Sequence, residues 1–252
     1  MSNAPPSPDY VLRGHASAVN TISFMNYGGH QSSLISGDVD GNIKLWDLAL
    51  RRASSRENAH SHSVISVHSL SNFASEQFIS SGRDGFVKLW DVENFSSSTA
   101  PALSLHTGAL HFCNTAVETG SSCESKCNLV ASPSNSENRA LIWDLRSGSV
   151  AIAVQTEVAK GTITQLHLKS PSPSQSHHSL FVGLEDGSLC MYDLRTLQSM
   201  VRDGDGDGDG EIDTAIATAQ LPDKDSVTLP VEEGKYINLY DSEKEPLMAM
   251  DI

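Results

Sequence analysis

The sequence predicts an all-β protein built from small, repeated, four-stranded antiparallel sheets. Four segments of the 252 residues end alike, in an alternating strand that closes on an aromatic residue and an aspartate. The closing aspartates are Asp47, Asp91, Asp144 and Asp193, which are 44, 53 and 49 residues apart. All three tryptophans of the protein (Trp46, Trp90, Trp143) precede these aspartates, and Tyr192 takes the same position in the fourth segment.

The residues before each ending predict the other strands of the unit. In the first ending, Ile43 and Leu45 face one side and Lys44 and Trp46 the other, which is the two-residue period of a strand. An Asp-Gly pair lies six residues before the aromatic residue in three units and favours a tight hairpin, so another strand should precede it. These pairs are Asp40-Gly41, Asp84-Gly85 and Asp186-Gly187. The predicted preceding strands are Leu34-Ile35-Ser36, Phe78-Ile79-Ser80 and Leu180-Phe181-Val182. Alternating or β-branched stretches begin earlier at Val19, Val64 and Ile163 and complete the units.

These motifs resemble the WD40 repeat, a blade of a β-propeller, over roughly residues 10–195. Gly14-His15 precedes the first unit, Ala59-His60 precedes the second, and three units end in Trp-Asp. The prediction is therefore a WD40 β-propeller that forms an incomplete or open ring of about four to five four-stranded blades. The repeats are placed at residues 9–47, 57–91, 102–144 and 158–193. Residues 201–252 are predicted to form an acidic linker and a degenerate fifth repeat or tail.

The resemblance implies a buried polar set in each blade. By position, the sets are His15, Ser36, Asp40 and Trp46 in the first unit and His60, Ser80, Asp84 and Trp90 in the second. Trp143 and Asp186 are the matching members in the third and fourth units. A His, a Ser and an Asp together also suggest a hydrolase. Because the set recurs in successive units and a catalytic site is normally built once, we interpret it as structural and expect no enzymatic activity.

The third and fourth units depart from this pattern. Glu137-Asn138 replaces Asp-Gly in the third, and a stretch from Ala116 to Ser125 lengthens it. His106 is a candidate for the missing histidine there. The fourth unit is entered through Lys160-Gly161-Thr162, without a histidine.

Charge and composition restrict the partners. The formal net charge is −14, and residues 201–252 carry 4 Lys/Arg against 14 Asp/Glu, a net charge of −10. Phosphate backbones and anionic membrane surfaces select basic proteins, so no direct nucleic-acid or membrane binding is expected. The partners should therefore be other proteins.

Two segments suggest a metal site, and neither fits well. The Asp-Gly run of residues 203–210 has acids at positions 1, 3 and 5 and a glycine at 6 of a calcium loop, but position 12 is Thr214 or Ile216 instead of glutamate. Cys123 and Cys127, with Cys113 and His111, lack the second cysteine pair of a zinc site. His177-His178 is expected to be solvated in a Ser/Pro loop. We predict no metal and no cofactor.

Two further segments bear on how the ring ends. Residues 236–241 resemble another blade ending, 48 residues after Asp193, so a fifth blade and a tail that adds one strand both remain open. Tyr10-Val11-Leu12-Arg13 looks like the outer strand that family members donate to their last blade. The chain is therefore interpreted as a shortened form of a longer parent.

Two arginines are candidate protein-binding residues. Arg146 and Arg195 each lie two residues after a blade ending, in Trp143-Asp144-Leu145-Arg146 and Tyr192-Asp193-Leu194-Arg195. This resembles the Trp-Asp-x-Arg box of cullin-RING ubiquitin-ligase substrate receptors, in which the arginine meets the adaptor.

A narrower resemblance is to the family of ASTRA-associated protein 1 and the related G-protein β-like protein. It rests on a Pro-rich start before Val11-Leu12-Arg13-Gly14-His15, on Gly82-Arg83-Asp84-Gly85, on Leu110-His111-Phe112-Cys113 and on Gly183-Leu184-Glu185-Asp186-Gly187. The resemblance implies a non-catalytic scaffold and chromatin regulator in the nucleus, with the cytoplasm as the alternative. It would act in an ASTRA-type complex for chromatin remodelling and kinase maturation, with co-chaperone and kinase subunits as partners.

Two other functions remain open. One is a substrate receptor of a cullin-RING ubiquitin ligase. The other is a G-protein β-like signalling subunit, which pairs with a γ subunit through an N-terminal helix. Pro5, Pro6 and Pro8 disfavour such a helix in this sequence.

Overall fold

The computed structural model describes most of the first 195 residues and three short strands beyond them. The described residues are 8–27, 30–70, 76–97, 100–110, 112–119, 129–156, 158–171 and 177–195, with the backbone of 216–217, 228–230 and 236–238. Within them the chain forms successive antiparallel sheets, which we call blades 1 to 4. The predicted all-β, open propeller is confirmed.

Blades 1 and 2 are four-stranded antiparallel sheets whose strands follow chain order. Blade 1 consists of β1 (Val19–Tyr27), β2 (His30–Asp38), β3 (Ile43–Asp47) and β4 (Arg52–Arg56). Blade 2 consists of β5 (Val64–Leu70), β6 (Gln77–Gly82), β7 (Phe86–Asp91) and β8 (Leu103–His106). The glycines of the predicted Asp-Gly turns, Gly41 and Gly85, have φ angles of 86° and 78°, which the β2–β3 and β6–β7 turns require.

Blades 3 and 4 are joined into one eight-stranded sheet. Blade 3 consists of β9 (Ala116–Thr119), β10 (Leu129–Pro133), β11 (Arg139–Asp144) and β12 (Ser149–Gln155). Blade 4 shows three strands, β13 (Ile163–Lys169), β14 (Ser179–Leu184) and β15 (Leu189–Asp193). A short 3-10 helix, Val158–Lys160, precedes it.

The merger of these two blades differs from the prediction of separate sheets, and strand β9 explains it. Its first half pairs antiparallel with β10 through Ala116 and Val117, and its second half pairs parallel with β13, where Glu118 faces Leu168. The inner strands of the two blades therefore touch directly.

Three short strands lie in the predicted tail. Strand β16 (Ile216–Ala217) adds to the outer edge of blade 3, parallel to β12. Strands β17 (Thr228–Pro230) and β18 (Tyr236–Asn238) pair antiparallel with each other. Strand β18 covers the first half of the blade ending that was predicted at residues 236–241 for a fifth repeat. Residues 239–241 lie outside the described residues.

Among the described residues the core consists of three clusters, each between consecutive blades. Where two consecutive blades meet, we call the contacting face of the later blade its leading face and the contacting face of the earlier blade its trailing face. Phe78 and Trp90 on the leading face of blade 2 share a cluster with Ile35 and Ile43 of blade 1. Equivalent clusters join blades 2 and 3 and blades 3 and 4. This is the stacking that repeat architectures use to bury apolar faces.

Candidate functional site

The polar set of blade 2 forms a continuous hydrogen-bonded chain. The indole Nε1–H of Trp90 donates to Ser80 Oγ at 2.8 Å, and Ser80 Oγ lies 2.8 Å from His60 Nε2. His60 Nδ1 lies 2.9 Å from the carboxylate of Asp84. Since an indole only donates and a carboxylate only accepts, a neutral His60 that carries its proton on Nδ1 satisfies every member.

Burial favours this neutral histidine. It lowers the pKa of His60, and this effect outweighs the hydrogen bond and charge of Asp84, which act in the opposite direction. Burial also acts to raise the pKa of Asp84, but the hydrogen bond and charge of His60 and the backbone N–H of Ser61 lower it overall. The set is thus a neutral histidine beside an ionised aspartate.

Blade 1 has the same arrangement with one different member. Trp46 Nε1–H donates to Ser36 Oγ at 2.8 Å, and His15 Nε2 lies 2.6 Å from that oxygen. The carboxylate that meets His15 Nδ1, at 2.7 Å, belongs to Asp38. The prediction of Asp40 was wrong, because Asp40 is an exposed turn residue.

The turn geometry explains why Asp38 bonds the histidine in blade 1 and Asp84 bonds it in blade 2. Asp38 also accepts the backbone N–H groups of Asp40 and Asn42, at 3.0 and 2.9 Å, so one carboxylate caps the turn and bonds the histidine. The corresponding residue of blade 2 is Gly82, where an added Cβ would lie 2.4 Å from His60 Nδ1. Without a side chain there, Asp84 reaches the histidine instead.

The sets of blades 3 and 4 are reduced. Trp143 Nε1–H donates to Ser132 Oγ at 2.8 Å. His106 is exposed and packs on the ring of Phe86, with centroids 4.9 Å apart, so it does not replace the missing histidine. In blade 4, Asp186 caps its own turn through the backbone N–H and the hydroxyl of Ser188.

These hydroxyls are in no position to attack a substrate. Ser80 and Ser132 are completely buried and Ser36 nearly so, each beneath a tryptophan indole. Burial also raises the pKa of the Cys113 thiol to about 12, so the thiolate is not formed near neutral pH. The geometry therefore favours a structural role for the polar sets.

The candidate metal segments are left undecided. Among the described residues, no group of three or more His, Cys, Asp or Glu side chains is arranged to hold a metal ion. His111, Cys123, Cys127 and residues 203–210 lie outside the described residues.

The histidine pair at 177–178 is not solvated as expected. His178 Nε2 bonds the carboxylate of Glu118 in β9, and His177 Nε2 lies 3.3 Å from Asp193. Both imidazoles are partly buried, so the pair ties the loop before β14 to blades 3 and 4.

Arg146 and Arg195 lie at the same rim of neighbouring blades, where β11 and β15 end. Both side chains are exposed, and each binds its own blade's closing aspartate. Arg146 makes a bidentate pair with Asp144, at 3.1 and 2.7 Å. The hydrogen bond from Arg146 lowers the pKa of Asp144. A partner would have to compete with this internal pair.

An apolar patch on the opposite rim was not identified as a site from the sequence. Leu110 and Phe112 are exposed in the loop from β8 to β9, and the Arg83 guanidinium stacks on the Phe112 ring, 4.3 Å from its centroid. Arg83 Nε–H also donates to Leu110 O at 3.4 Å. The sequence signal for this patch was the presence of two large apolar residues in a Gly-containing loop. We call Arg83, Leu110 and Phe112 the apolar rim patch.

A pocket of about 430 Å³ lies between β4 and the loop after β7. The Arg56 guanidinium lies 5.4 and 5.5 Å from the ring centroids of Trp90 and Phe95, which contact each other edge to face. Among the described lining residues, Arg56 and Asp91 are the only titratable side chains. This lining is suited to ligand binding more than to proton transfer.

In the part of the chain that the structure describes, no helix is long and apolar enough to cross a bilayer.

Comparison with known families identifies the first two repeats. The family profile "WD domain, G-beta repeat" matches residues 6–47 and 54–91. Among solved structures, the computationally designed Ika4 protein has a similar fold, with a TM-score of 0.51 and 21% identity, over 73% of this chain and 95% of that chain.

Curated relatives are longer than this chain. ASTRA-associated protein 1 of Aspergillus niger is 32% identical over 187 residues, which cover 65% of this chain and 40% of that protein. Guanine nucleotide-binding protein subunit beta-like protein 1 of Mus musculus is 27% identical over 194 residues, covering 75% of this chain and 57% of its own length. The chain thus spans about half the length of these relatives.

Proposed function

We propose that this chain, two of whose repeats match the WD40 family profile, is a non-catalytic scaffold subunit of an ASTRA-type complex that serves chromatin remodelling and kinase maturation. The observation that carries the proposal is the similarity to ASTRA-associated protein 1, which extends over 187 residues. The proposed location is the nucleus, and the proposed partners are the co-chaperone and kinase subunits of that complex.

The geometry supports a binding role in two ways. The Ser and His groups that resemble a hydrolase triad are hydrogen-bonded inside the blades, between a tryptophan and an aspartate. The apolar rim patch, by contrast, exposes Leu110 and Phe112 beside a cation. Exposed apolar side chains next to an arginine are typical of protein-interaction surfaces.

The experiment is affinity purification of the tagged full chain from nuclear extract. We expect recovery of co-chaperone and kinase subunits, and loss of them with Leu110→Asp combined with Phe112→Asp. The matched control is Val158→Asp combined with Leu50→Asp, which places the same two charges on other exposed apolar residues. Absence of these subunits from the wild-type preparation would contradict the proposal. Equal recovery with the double variant would contradict the role of the apolar rim patch.

A ubiquitin-ligase substrate receptor is the second candidate, favoured by the exposure of Arg146 and Arg195 on one rim. It requires both arginines to leave their aspartates and bind the adaptor. Arg146→Ala with Arg195→Ala should then abolish adaptor binding, while Arg52→Ala, at an exposed arginine of blade 1, should not. Unchanged adaptor binding by the double variant would exclude this candidate.

A further inference from the structure

Strand β4, the outer strand of blade 1, carries exposed arginines beside two serines. Its sequence over residues 52–56 is Arg-Ala-Ser-Ser-Arg, and Arg51 comes directly before it. Arg51, Arg52 and Ser54 are all exposed. Neither Arg51 nor Arg52 forms an ion pair with a carboxylate in the described part of the chain, unlike the two arginines at the blade endings. In a chain with a net charge of −14, this segment is locally cationic.

The two serines of β4 differ in the availability of their hydroxyl groups. Ser55 Oγ accepts Lys44 Nζ–H at 2.6 Å across the two strands. Ser54 lies on the opposite side of the strand, because neighbouring residues of a strand point to opposite faces. Within the described residues the Ser54 hydroxyl makes no hydrogen bond. Ser54 therefore has the accessible oxygen of the pair.

Strand β4 is held to its blade less firmly than the strands inside it. In the described chain it pairs on one side only, with β3. Four of its five residues are exposed, so its release uncovers little apolar surface. Arg51 at its start has a φ of 55°, a left-handed conformation that costs free energy in a residue with a side chain. An enzyme that requires an extended, accessible segment can therefore bind residues 51–55.

We propose that Ser54 is a phosphorylation site for a basophilic serine/threonine kinase. Such a kinase selects substrates by charge, with carboxylates that bind arginine side chains two and three residues before the acceptor serine. Arg52 and Arg51 hold these two positions. Ser54 Oγ attacks the γ-phosphorus of magnesium-bound ATP, the bond from this phosphorus to the β,γ-bridging oxygen breaks, and ADP leaves. The hydroxyl proton passes to the catalytic aspartate of the kinase.

The phosphate is placed between two guanidinium groups of the same strand. Arg52, Ser54 and Arg56 are alternate residues of β4 and therefore point to the same side of the sheet. Alternate residues of a strand lie about 6.6 Å apart, a distance that arginine side chains can span. A phosphoserine carries up to two negative charges and accepts charge-assisted hydrogen bonds from arginine. Phosphorylation thus joins Arg52 and Arg56 through one anion.

Arg56 also links this strand to blade 2. Its guanidinium donates to Phe95 O and lies 5.4 Å from the ring centroid of Trp90. A phosphate on Ser54 competes with Phe95 O for this guanidinium, because a charged acceptor binds arginine more strongly than a carbonyl does. Phosphorylation therefore weakens the attachment of the turn after β7, in which Phe95 N–H donates to Val92 O.

The test is phosphorylation of the folded full chain by the catalytic subunit of cyclic-AMP-dependent protein kinase with ATP, followed by tandem mass spectrometry. We expect a phosphoryl group on Ser54. Ser54→Ala should remove this product, whereas Ser55→Ala, the matched control one residue away, should keep it. Circular dichroism checks that both variants fold.

The two arginines are tested by the rate of the same reaction. Arg51→Ala with Arg52→Ala should lower kcat/KM for Ser54 at least about a hundredfold, because two charge-assisted contacts with the kinase are lost. Arg13→Ala with Lys169→Ala removes two other exposed cations and should keep the wild-type value. Equal rates in the two double variants would overturn the proposal.

A synthetic peptide of residues 48–58 separates the motif from its structural setting. Phosphorylation of the folded chain at Ser54 at a rate comparable to that of the peptide supports the proposal. A phosphorylated peptide together with a folded chain that stays unmodified at Ser54 would overturn it, as would a folded chain modified only at other residues.

Hydrogen exchange measures the consequence for blade 2. The backbone N–H of Phe95 should exchange about tenfold faster in the phosphorylated chain, since the turn loses the hydrogen bond from Arg56. Arg56→Gln should give a similar increase without phosphate. An unchanged exchange rate in the phosphorylated chain would overturn the competition for Arg56.

Discussion

Ser80 is the residue at which the polar chain of blade 2 converges. It accepts the Trp90 indole and bonds His60, and all three side chains are buried. Leaving a buried donor or acceptor unsatisfied costs about 1–3 kcal/mol, whereas a satisfied bond contributes less. The serine therefore fixes the rotamers of two large side chains that line the contact with blade 1.

Removing this hydroxyl should be more harmful in blade 2 than in blade 3. Ser80→Ala leaves both the Trp90 Nε1–H and His60 Nε2 unpaired, so we expect a loss of about 2–4 kcal/mol in the free energy of unfolding. Ser132→Ala removes the partner of the Trp143 indole, and about 1–2 kcal/mol is expected. Urea unfolding of both variants measures the difference, and equal losses would contradict the role of the histidine.

The neutral His60 makes stability dependent on pH. Its folded-state pKa lies below the ordinary value of 6.5, so the unfolded chain binds the proton more readily. The stabilisation is fully present above about pH 6.5 and decreases as the pH falls towards the folded-state pKa. The lowered pKa values of Asp38 and Asp84 add a second loss below about pH 3.8, in the same direction.

Urea unfolding at about pH 7.5 and about pH 5 tests this dependence. The wild-type protein should lose free energy of unfolding between the two, and His60→Gln should reduce that loss. His62→Gln, at an exposed histidine two residues away, is the control and should keep the wild-type difference. An undiminished difference in His60→Gln would show that this histidine is not held neutral.

The turn between two strands of one blade also contacts the neighbouring blade. Gly41 lies in the β2–β3 turn of blade 1, and its carbonyl accepts the backbone N–H of His60 at 3.0 Å. A Cβ on Gly41 would lie 2.1 Å from His60 O. The glycine thus allows both the positive φ angle of the hairpin turn and the close backbone contact with blade 2.

Gly41→Ala should therefore destabilise the protein more than Gly85→Ala. Both positions have positive φ angles, for which alanine costs about 1–3 kcal/mol. At Gly85 the nearest atom to an added Cβ is 3.2 Å away, a much looser fit than at Gly41. Thermal or urea unfolding checks the order, and an equal effect of the two substitutions would exclude the close backbone approach.

The first three strands of blades 1, 2 and 4 were predictable from sequence, and the outer strands of blades 1 and 2 were not. Alternation at Ile43 and Leu45 and the Asp-Gly turns locate β3 and its hairpin because one face of these strands is buried. Strand β4, with the sequence Arg-Ala-Ser-Ser-Arg, is exposed along nearly its whole length and shows no such alternation. The pairing of β9 with β13 depends on contacts between distant residues and had no local signal.

The polar sets, too, were only partly predictable from sequence. The histidine, serine and tryptophan positions follow from the repeat, but the choice of Asp38 over Asp40 depends on which carboxylate can cap the turn and reach His15 together. The apolar rim patch depends on the loop conformation that brings Phe112 beneath Arg83.

For the whole molecule, the repeats act as a stack in which every blade needs a neighbour. Inter-blade hydrogen bonds accompany the apolar clusters: Asn20 Nδ2–H donates to Val64 O at 3.1 Å, and Ser66 Oγ lies 2.8 Å from Thr115 Oγ1. The described blades therefore bury their apolar faces against one another.

The central claim is that consecutive blades pack flank to flank, and a bump-and-hole pair across blades 1 and 2 tests it most directly. A Cβ on Gly37 of β2 would lie 2.5 Å from Val64 Cγ1 of β5, so Gly37→Ala should be destabilising, as should Val64→Ala through its cavity. Urea unfolding of the two single variants and the double variant gives their coupling. The account predicts that the loss in the double variant is smaller than the summed losses of the single variants by at least about 0.5 kcal/mol. Val64→Ala removes the Cγ1 atom that lies nearest to the added methyl group, and the Val64 Cβ at 2.8 Å is then the closest remaining atom. Simple additivity of the two losses would show that β2 and β5 are not in contact and would contradict the account.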